Sequence, residues 1–331
     1  MGSLPPLPPL PKKNMKGQLY IDGKDASDYG MISIWGSYNE LVAFPNSKTP
    51  DSNDWAEEDG KEFDLSAIAL DSKDVTLEFG FFDEWKFNDF VALLSDMGYH
   101  DFNFPQLGRT FRLRLSSQSS FEMFNSSDRS KFVFAHDFPR PADYVYEEPV
   151  NLYTMPKGYE LDDMDLSAYG VILLKGSNQE ILKSPAVKKN LLQNFKYQDG
   201  AIYDGQFVKF QTKDVNLKCL MRAPDFDTFW RNRDALLYDL TRLSAKTDAE
   251  GYEYEDAERM FYVDEWSESY PCYYKSCKTE HFNPLGGIWW EFTLTLVFTS
   301  FRLGDTEYLL ASEAGEFIMT EDEECFIDLG D

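Results

Sequence analysis

The sequence predicts a mainly β protein of two tandem domains, each a β-sandwich or half-barrel that carries one helix. Three observations predict this class. Segments that alternate apolar and polar residues recur along the chain, a helical stripe follows one of them in each half, and part of the first half is repeated in the second. The length of 331 residues suffices for two domains of ordinary size. Aromatic residues make up 16% of the chain and suit half-buried sheet surfaces.

The internal repeat has a constant offset of 140 residues. Residues 25–32 (DASDYGMI) recur as residues 165–172 (DLSAYGVI). The same offset relates further identical pairs, namely Gly36 and Gly176, Glu40 and Glu180, Pro45 and Pro185, Gly60 and Gly200, and Lys73-Asp74-Val75 and Lys213-Asp214-Val215. A repeat of this length far exceeds the 20–50 residues of solenoid units, so it predicts two duplicated domains.

Each copy begins with strands and continues with a helix. Short β-prone runs follow a Tyr-Gly turn at 31–35 and 171–174, and residues 75–81 and 215–221 predict half-buried strands. The first helix has its apolar residues at helical spacing, with Asp83 as the predicted N-cap, namely Phe87, Phe90, Val91, Leu94 and Met97. The second helix follows Pro224-Asp225 in the same way, at Phe226, Phe229, Trp230, Leu237 and Leu240. These helices align at an offset of 139, where Arg233 interrupts the stripe at the position of Leu94.

Further strands close each copy. They are predicted at 111–115 and 131–134 in the first copy, and at 260–263, 270–274 and 289–298 in the second, after a turn at 283–287. The predicted organisation is a Pro-rich extended arm at 1–17, β domains at 18–145 and 146–304 with a linker near 138–159, and an acidic tail at 305–331. The arm has PxxP spacing, so it is either a ligand of SH3-type domains or a tether that bridges subunits.

The charge balance bears on the partners of the chain. A formal net charge of −26 argues against specific nucleic-acid binding and against docking on an anionic membrane. No apolar run is long enough to span a bilayer and no secretion signal is evident, so we expect a soluble protein without membrane insertion. Four cysteines are too few for a disulfide framework, which favours free thiols in a reducing compartment.

A search for chemistry assigns no catalytic, cofactor-binding or metal-ligating residue. The three histidines, His100, His136 and His281, lie in unrelated contexts, and GxSxG, P-loop and GxGxxG motifs are absent. Cys272, Cys277 and His281 have metal-like spacing but lack a fourth ligand, so buried or edge thiols are favoured over zinc. Residues 51–62 begin like a calcium loop, but Trp55 and Ala56 break the pattern and a solvated loop is expected.

Two other patterns have both a functional and a structural interpretation. Aromatic clusters at residues 79–85 and 270–274 would suit a sugar-stacking face, although a sheet core and a subunit interface are the favoured interpretation. Carboxylate pairs are too numerous among 58 acidic residues to nominate a glycosidase pair. A hydrolase would require two carboxylates in one cleft, and Asp74 with Asp214 is one narrow version of that hypothesis.

The order of strand hairpin, single helix and closing strands resembles the tail-tube fold of phage tail and baseplate proteins, and within that group the distal tail and hub proteins. The resemblance is strongest at residues 73–97, 213–240 and 270–298, and residues 310–329 also look like the C-termini of tail proteins. It covers both copies, roughly residues 18 to 304.

This resemblance implies an architectural, non-enzymatic role. Tube-fold subunits form rings around a channel, and hub proteins carry two tube-like domains per chain. The resemblance therefore implies a structural component of a phage or prophage tail at the tube–baseplate junction. Such a chain would form a trimeric or hexameric ring and contact other tail and baseplate proteins, in a virion tail assembled in the bacterial cytoplasm. The alternative is a carbohydrate- or protein-binding protein of two β-sandwich domains with a receptor-binding or adhesion role.

Overall fold

The fold was determined from a computed structural model. It describes residues 16–299 except 57, 83, 97, 124–127, 139, 141–143, 190–191, 204–207 and 248–250, and it leaves out the side chains of 84, 85 and 203. Most of the predicted Pro-rich arm, the predicted acidic tail and the predicted N-cap Asp83 therefore lie outside the described residues.

The first half of the chain folds into a curled antiparallel sheet. Its strands in chain order are β1 Tyr20–Ile21, β2 Lys24–Asp25, β3 Met31–Ser33, β4 Ser52–Asn53, β5 Glu62–Phe63, β6 Lys73–Phe81, β7 His100–Phe104, β8 Arg109–Glu122 and β9 Asp128–His136. The order across the sheet is β2-β1-β7-β8-β9-β6-β3, and β4 and β5 form a separate hairpin. Helix α1, Glu84–Asp96, lies against this sheet, with Phe90 among the rings of Phe79, Phe81 and Phe132.

The second half repeats the strand order of the first sheet and adds one hairpin. Its strands are β10 Tyr159–Leu161, β11 Met164–Asp165, β12 Val171–Leu173, β13 Leu192–Gln193, β14 Ile202–Tyr203, β15 Lys213–Ala223, β16 Ser244–Thr247, β17 Glu253–Asp256, β18 Arg259–Val263, β19 Glu268–Asn283 and β20 Ile288–Phe298. The second sheet runs β11-β10-β18-β19-β20-β15-β12, and β13–β14 and β16–β17 are separate hairpins. Helices α2, Ser177–Leu182, and α3, Phe226–Thr241, complete it.

The two sheets therefore match strand for strand. Position i of the first sheet corresponds to i + 140 of the second up to the long helix, as in the pairs Met31↔Phe81 and Val171↔Met221. The β16–β17 hairpin after α3 has no counterpart between α1 and β7 in the described residues. The predicted fold class, mainly β with curled half-barrel sheets and few helices, is confirmed.

The repeated motif around Asp25 and Asp165 explains why its residues recur. Each aspartate accepts a hydrogen bond of 2.8 Å from the amide two residues on, and so begins a short 3₁₀ helix. Each 3₁₀ helix ends at a glycine with positive φ, Gly30 at 65° and Gly170 at 70°. A Cβ on Gly170 would lie 2.5 Å from the carbonyl oxygen of Arg222, so this turn requires glycine.

The segment between the sheets packs along α3. Asn232, in the middle of that helix, accepts from the amide of Val150 and donates to its carbonyl, each at 2.8 Å. The hydroxyl of Tyr146 donates to Asp239 at 3.1 Å. Helix α3 begins as predicted at its cap, where Asp225 accepts from the amide of Thr228 at 2.8 Å. The main hydrophobic core is continuous from one sheet to the other. In the described part of the chain, no helix is long and apolar enough to cross a membrane.

Candidate functional site at the junction of the two sheets

The junction is built around a segment of the first half, residues 41–47, which packs against strands β19 and β20 of the second sheet. Its central residue, Phe44, is completely buried. The ring of Phe44 meets the rings of Tyr274, Trp290 and Phe292 edge-on, with centroids 6.2, 5.4 and 6.2 Å away. Edge-to-face contacts of this kind stabilise beyond the apolar area that they bury. The aromatic residues of β19 and β20 therefore form the surface against which the first half of the chain packs.

Hydrogen bonds fix the same segment to strand β19. The hydroxyl of Tyr274 donates to the carbonyl of Pro45 at 2.7 Å. The amide of Ser47 donates to the carbonyl of Lys275 at 2.9 Å, and the hydroxyl of Ser47 donates to the carbonyl of Tyr274 at 2.7 Å. Burial raises the pKa of Tyr274 well above its usual value, so its hydroxyl stays a proton donor at all physiological pH values.

Arg233 of α3 secures the segment from the other side. Its Nε donates to the carbonyl of Val42 at 2.9 Å and its Nη2 to the carbonyl of Ala43 at 3.1 Å. Its guanidinium also lies 4.9 Å from the ring centroid of Phe44. The sequence marks Arg233 as an interruption of the apolar stripe. The structure gives the reason for this interruption, because the side chain is buried and donates to carbonyls contributed by the first half.

A hairpin of the first half, residues 52–63 (β4, β5 and their loop, here the first arm), reaches the segment of the second half that precedes strand β15. The amide of Gly60 donates to the carbonyl of Phe210 at 2.8 Å, and the amide of Phe210 donates to Oδ1 of Asp59 at 2.6 Å. Just beyond the arm, Leu65 packs with Tyr273 and Val297 in a small separate core. The first arm is therefore docked by both backbone and apolar contacts.

A buried lysine anchors the tip of the first arm. The ammonium of Lys188 is only 4% exposed and donates to Oδ1 of Asp54 and to the carbonyl of Trp55, both at 2.7 Å. The hydrogen bond from Lys188 is the main reason that the pKa of Asp54 lies below its usual value. The prediction of a solvated loop at 51–62 agrees with the exposure of Asp51 to Trp55, but it is wrong for Asp59 and Gly60, which bind Phe210 ahead of β15.

A cavity of about 200 Å³ beside the junction is lined by several basic side chains, although the chain as a whole is acidic. Its ionisable lining residues are Lys73, Arg109, Arg112, His136, Arg140 and Arg233. Asp234 pairs with Arg109 at 2.9 Å and with Arg233 at 2.5 Å. Burial lowers the pKa of Lys73 to about 8. Burial also lowers the pKa of His136 to about 4, and the nearby positive charges of Arg233, Lys73 and Arg109 add to this effect. His136 is therefore a neutral imidazole at neutral pH.

This depressed pKa predicts a pH dependence of stability. Between pH 6.5 and 4 the unfolded chain protonates His136 while the folded chain does not, so the free energy of unfolding falls as the pH falls through this range. We expect His136→Gln to make that fall shallower, measured by urea denaturation at intervals from pH 7 to 4. His281→Gln, at an exposed position of β19, is the matched control. Equal slopes for His136→Gln and the wild type would contradict the assignment.

The three residues with metal-like spacing lie in different surroundings. Cys272 and Cys277 are buried on β19, whereas His281 is exposed. Burial raises the pKa of the Cys277 thiol to about 12 and raises that of Cys272 as well. Such thiols are protonated and poor metal ligands at neutral pH. Within the described ranges, no three His, Cys, Asp or Glu side chains are grouped to hold a metal ion.

The other candidate residues predicted from the sequence also lie at separate places in the two sheets. Asp74 lies at the start of β6 and Asp214 at the equivalent point of β15, where it pairs with Lys275 at 2.5 Å. They line two different cavities. Most of the predicted aromatic face is buried in the cores, namely Phe79, Phe81, Tyr270, Tyr273 and Tyr274, while Phe82 is half exposed. The remaining histidine, His100, is buried on β7 with its Nδ1 2.7 Å from Asp22.

Comparisons with known proteins were made for the whole chain. No protein-family model and no curated protein matches it. Among solved structures it is similar to the Dit protein of phage SPP1, described as a paradigm of the hub adsorption apparatus of phages that infect Gram-positive bacteria. The TM-score is 0.31 at 10% identity, covering 85% of this chain and 98% of that chain. A second structure, the PlzA protein of Borreliella burgdorferi in complex with c-di-GMP, has a TM-score of 0.16 at 10% identity, with 82% and 90% covered. Both TM-scores are too low to define a shared fold.

Proposed function

We propose that this chain is a structural, non-enzymatic component of a phage or prophage tail at the tube–baseplate junction, where it forms a ring around the channel. The observation that carries the proposal is the head-to-tail junction between two sheets of identical strand order. The first half contributes residues 41–47 and the first arm, and the second half contributes the surface that receives them. Repetition of one heterologous contact generates a ring when the rotation closes.

The chemistry of the junction supports an architectural role. Its polar groups are engaged in holding the two halves together, as Arg233, Lys188 and Tyr274 do. The assignment to a phage tail, with other tail and baseplate proteins as partners, rests on the resemblance of residues 73–97, 213–240 and 270–298 to tail-tube proteins. A net charge of −26 suits a lumen through which DNA passes without adhering.

Light scattering over a concentration series, with negative-stain imaging of large species, tests the ring. We expect trimers or hexamers with a central hole, because two like-built sheets per chain would place six around the axis of a trimer. A monomer at every concentration would contradict autonomous ring formation and would favour the binding-module alternative. That alternative predicts a melting temperature that rises with added sugars, which the ring proposal does not.

A further inference from the structure

We propose that the hairpin of the second half, residues 192–203 (here the second arm), binds the first half of a second copy of this chain. The second arm would make the same contacts with the first half of the other copy that the first arm makes with the second half of its own chain. This inference rests on the proposed function and names the surfaces through which copies would join.

The two arms are equivalent in backbone and in sequence. Both hairpins have the same register, Ser52↔Phe63 in the first and Leu192↔Tyr203 in the second, at an offset of 140. The docking pair Asp59-Gly60 recurs as Asp199-Gly200. The φ angles of Gly60 and Gly200 are 71° and 79°, so both turns have the left-handed conformation that presents the glycine amide.

The arms differ in what covers them. Gly60 is buried and hydrogen-bonded to Phe210 of the second half, whereas residues 192–202 are exposed throughout. The exposed side chains on and beside the second arm include large apolar ones, namely Leu192, Phe195, Tyr197, Ile202 and Val208. Tyr197 is 93% exposed. Several large apolar side chains exposed on and beside one short hairpin indicate an interaction site.

The surface that would receive the second arm is present on the first half. Phe210 and its counterpart Leu70 each form an isolated antiparallel bridge, with Val187 and Ser47 respectively. In both bridges the hydrogen bonds flank the pair, so the amide and carbonyl of Phe210 and of Leu70 point away from their own bridge. Phe210 uses these groups to bind the first arm. Within the described ranges, the amide and carbonyl of Leu70 have no hydrogen-bond partner.

The anchoring lysine is also repeated. Lys48 stands 140 residues before Lys188, and the hydrogen bonds Lys48 N→Ala69 O (2.8 Å) and Lys188 N→Lys209 O (2.7 Å) hold both in the same place. Lys188 is buried by the first arm, whereas Lys48 is exposed. In the contact between copies, Lys48 would donate to the amide oxygen of Asn194 and to the carbonyl of Phe195, the counterparts of Asp54 and Trp55.

The contact between copies would be weaker than the one within the chain. Asn194 replaces the carboxylate of Asp54, so a neutral acceptor faces the lysine. Ser184 replaces the buried Phe44, so less apolar area is covered. Among the described residues, each chain offers one uncovered arm and one receiving edge, here defined as Lys48 with the unpartnered backbone groups of Leu70. We therefore infer reversible head-to-tail association, which closes into a ring.

Two surface variants separate the halves of this contact. Lys48→Glu blocks the receiving edge and Asp199→Arg blocks the arm, and neither side chain has a hydrogen bond or ion pair within the described residues. By sedimentation velocity, we expect the wild type to assemble and each variant alone to associate at least about tenfold more weakly. An equimolar mixture should form a 1:1 heterodimer that grows no further, because one intact arm meets one intact edge.

The controls make every outcome decisive. Lys157→Glu has the same charge change at an exposed site away from both surfaces and should assemble like the wild type. Unchanged melting temperatures will show that the variants fold. A wild type that stays monomeric up to about 100 µM, a concentration far above that needed by typical specific interfaces, would overturn the proposal. Wild-type-like assembly by both variants would overturn it while leaving the ring function to another surface. Heterodimers of the variants with open filaments of the wild type would support the contact and contradict the ring.

Discussion

Phe44→Ala should lower the free energy of unfolding by about 3–5 kcal/mol, the usual cost of truncating a fully buried phenylalanine. The effect is at the upper end because Phe44 belongs to the first half while Tyr274, Trp290 and Phe292 around it belong to the second. The resulting cavity would lie at the junction, so the variant would lose apolar contacts between the two halves of the chain. Urea denaturation followed by tryptophan fluorescence measures the loss.

Phe82→Ala is the matched control for this variant. Phe82 follows β6 and is about half exposed, so its truncation should change stability by less than about 1 kcal/mol. A loss below about 1 kcal/mol for Phe44→Ala as well would mean that residues 41–47 contribute little to the junction. That result would contradict the assignment of Phe44 as the centre of the contact.

Arg233→Leu is expected to cost about 2–5 kcal/mol. The substitution supplies the apolar residue type found at the aligned position of the first half, Leu94, but it leaves the carbonyls of Val42 and Ala43 without their donors. Each buried carbonyl without a partner costs about 1–3 kcal/mol. Thermal denaturation at low and high salt measures the loss, which should persist in salt because Arg233 is buried.

Arg231→Leu, two residues away on the same helix, is the control. Arg231 is more exposed and its ion pair with Glu147 is 3.6 Å long, so we expect a change of about 0–1 kcal/mol. Arg233→Lys should recover only part of the stability, because one ammonium cannot reproduce the fork of donors that reaches both carbonyls. Equal stability of Arg233→Leu and the wild type would show that the two carbonyls find other donors.

Much of the fold could be predicted because local patterns determine it. Alternation at 75–81 and 215–221 placed β6 and β15, and the apolar spacing after Asp225 placed α3. The offset of 140 anticipates the matching order of the two sheets, since equal patterns in equal order fold alike. The boundaries of the domains themselves stay a prediction.

The junction could not be predicted, because its contacts join residues far apart in sequence. Arg233 looks like a defect in a helical stripe until residues 41–47 are seen against it. Lys188 and Asp54 are separated by 134 positions, and the recurrence of the lysine at positions 48 and 188 does not indicate which carboxylate it binds. One signal was present, namely that the copies differ where the junction forms, with Phe44 aligned to Ser184 and Arg233 to Leu94. Differences within a repeat mark the places where its two copies have different neighbours.

The central claim is that the contact made by the first arm within the chain is repeated by the second arm between chains. The hydrogen-exchange rates of backbone amides in the two arms and at their receiving positions test this claim most directly. Hydrogen exchange of the wild type is measured at a low and at a high protein concentration. We expect the amides of Gly60 and Phe210 to exchange slowly at both concentrations, since their contact lies within one chain. The amides of Gly200 and Leu70 should exchange rapidly in the monomer and slowly once the chains assemble. Rapid exchange of Gly200 and Leu70 in assembled protein would contradict a shared contact within and between chains.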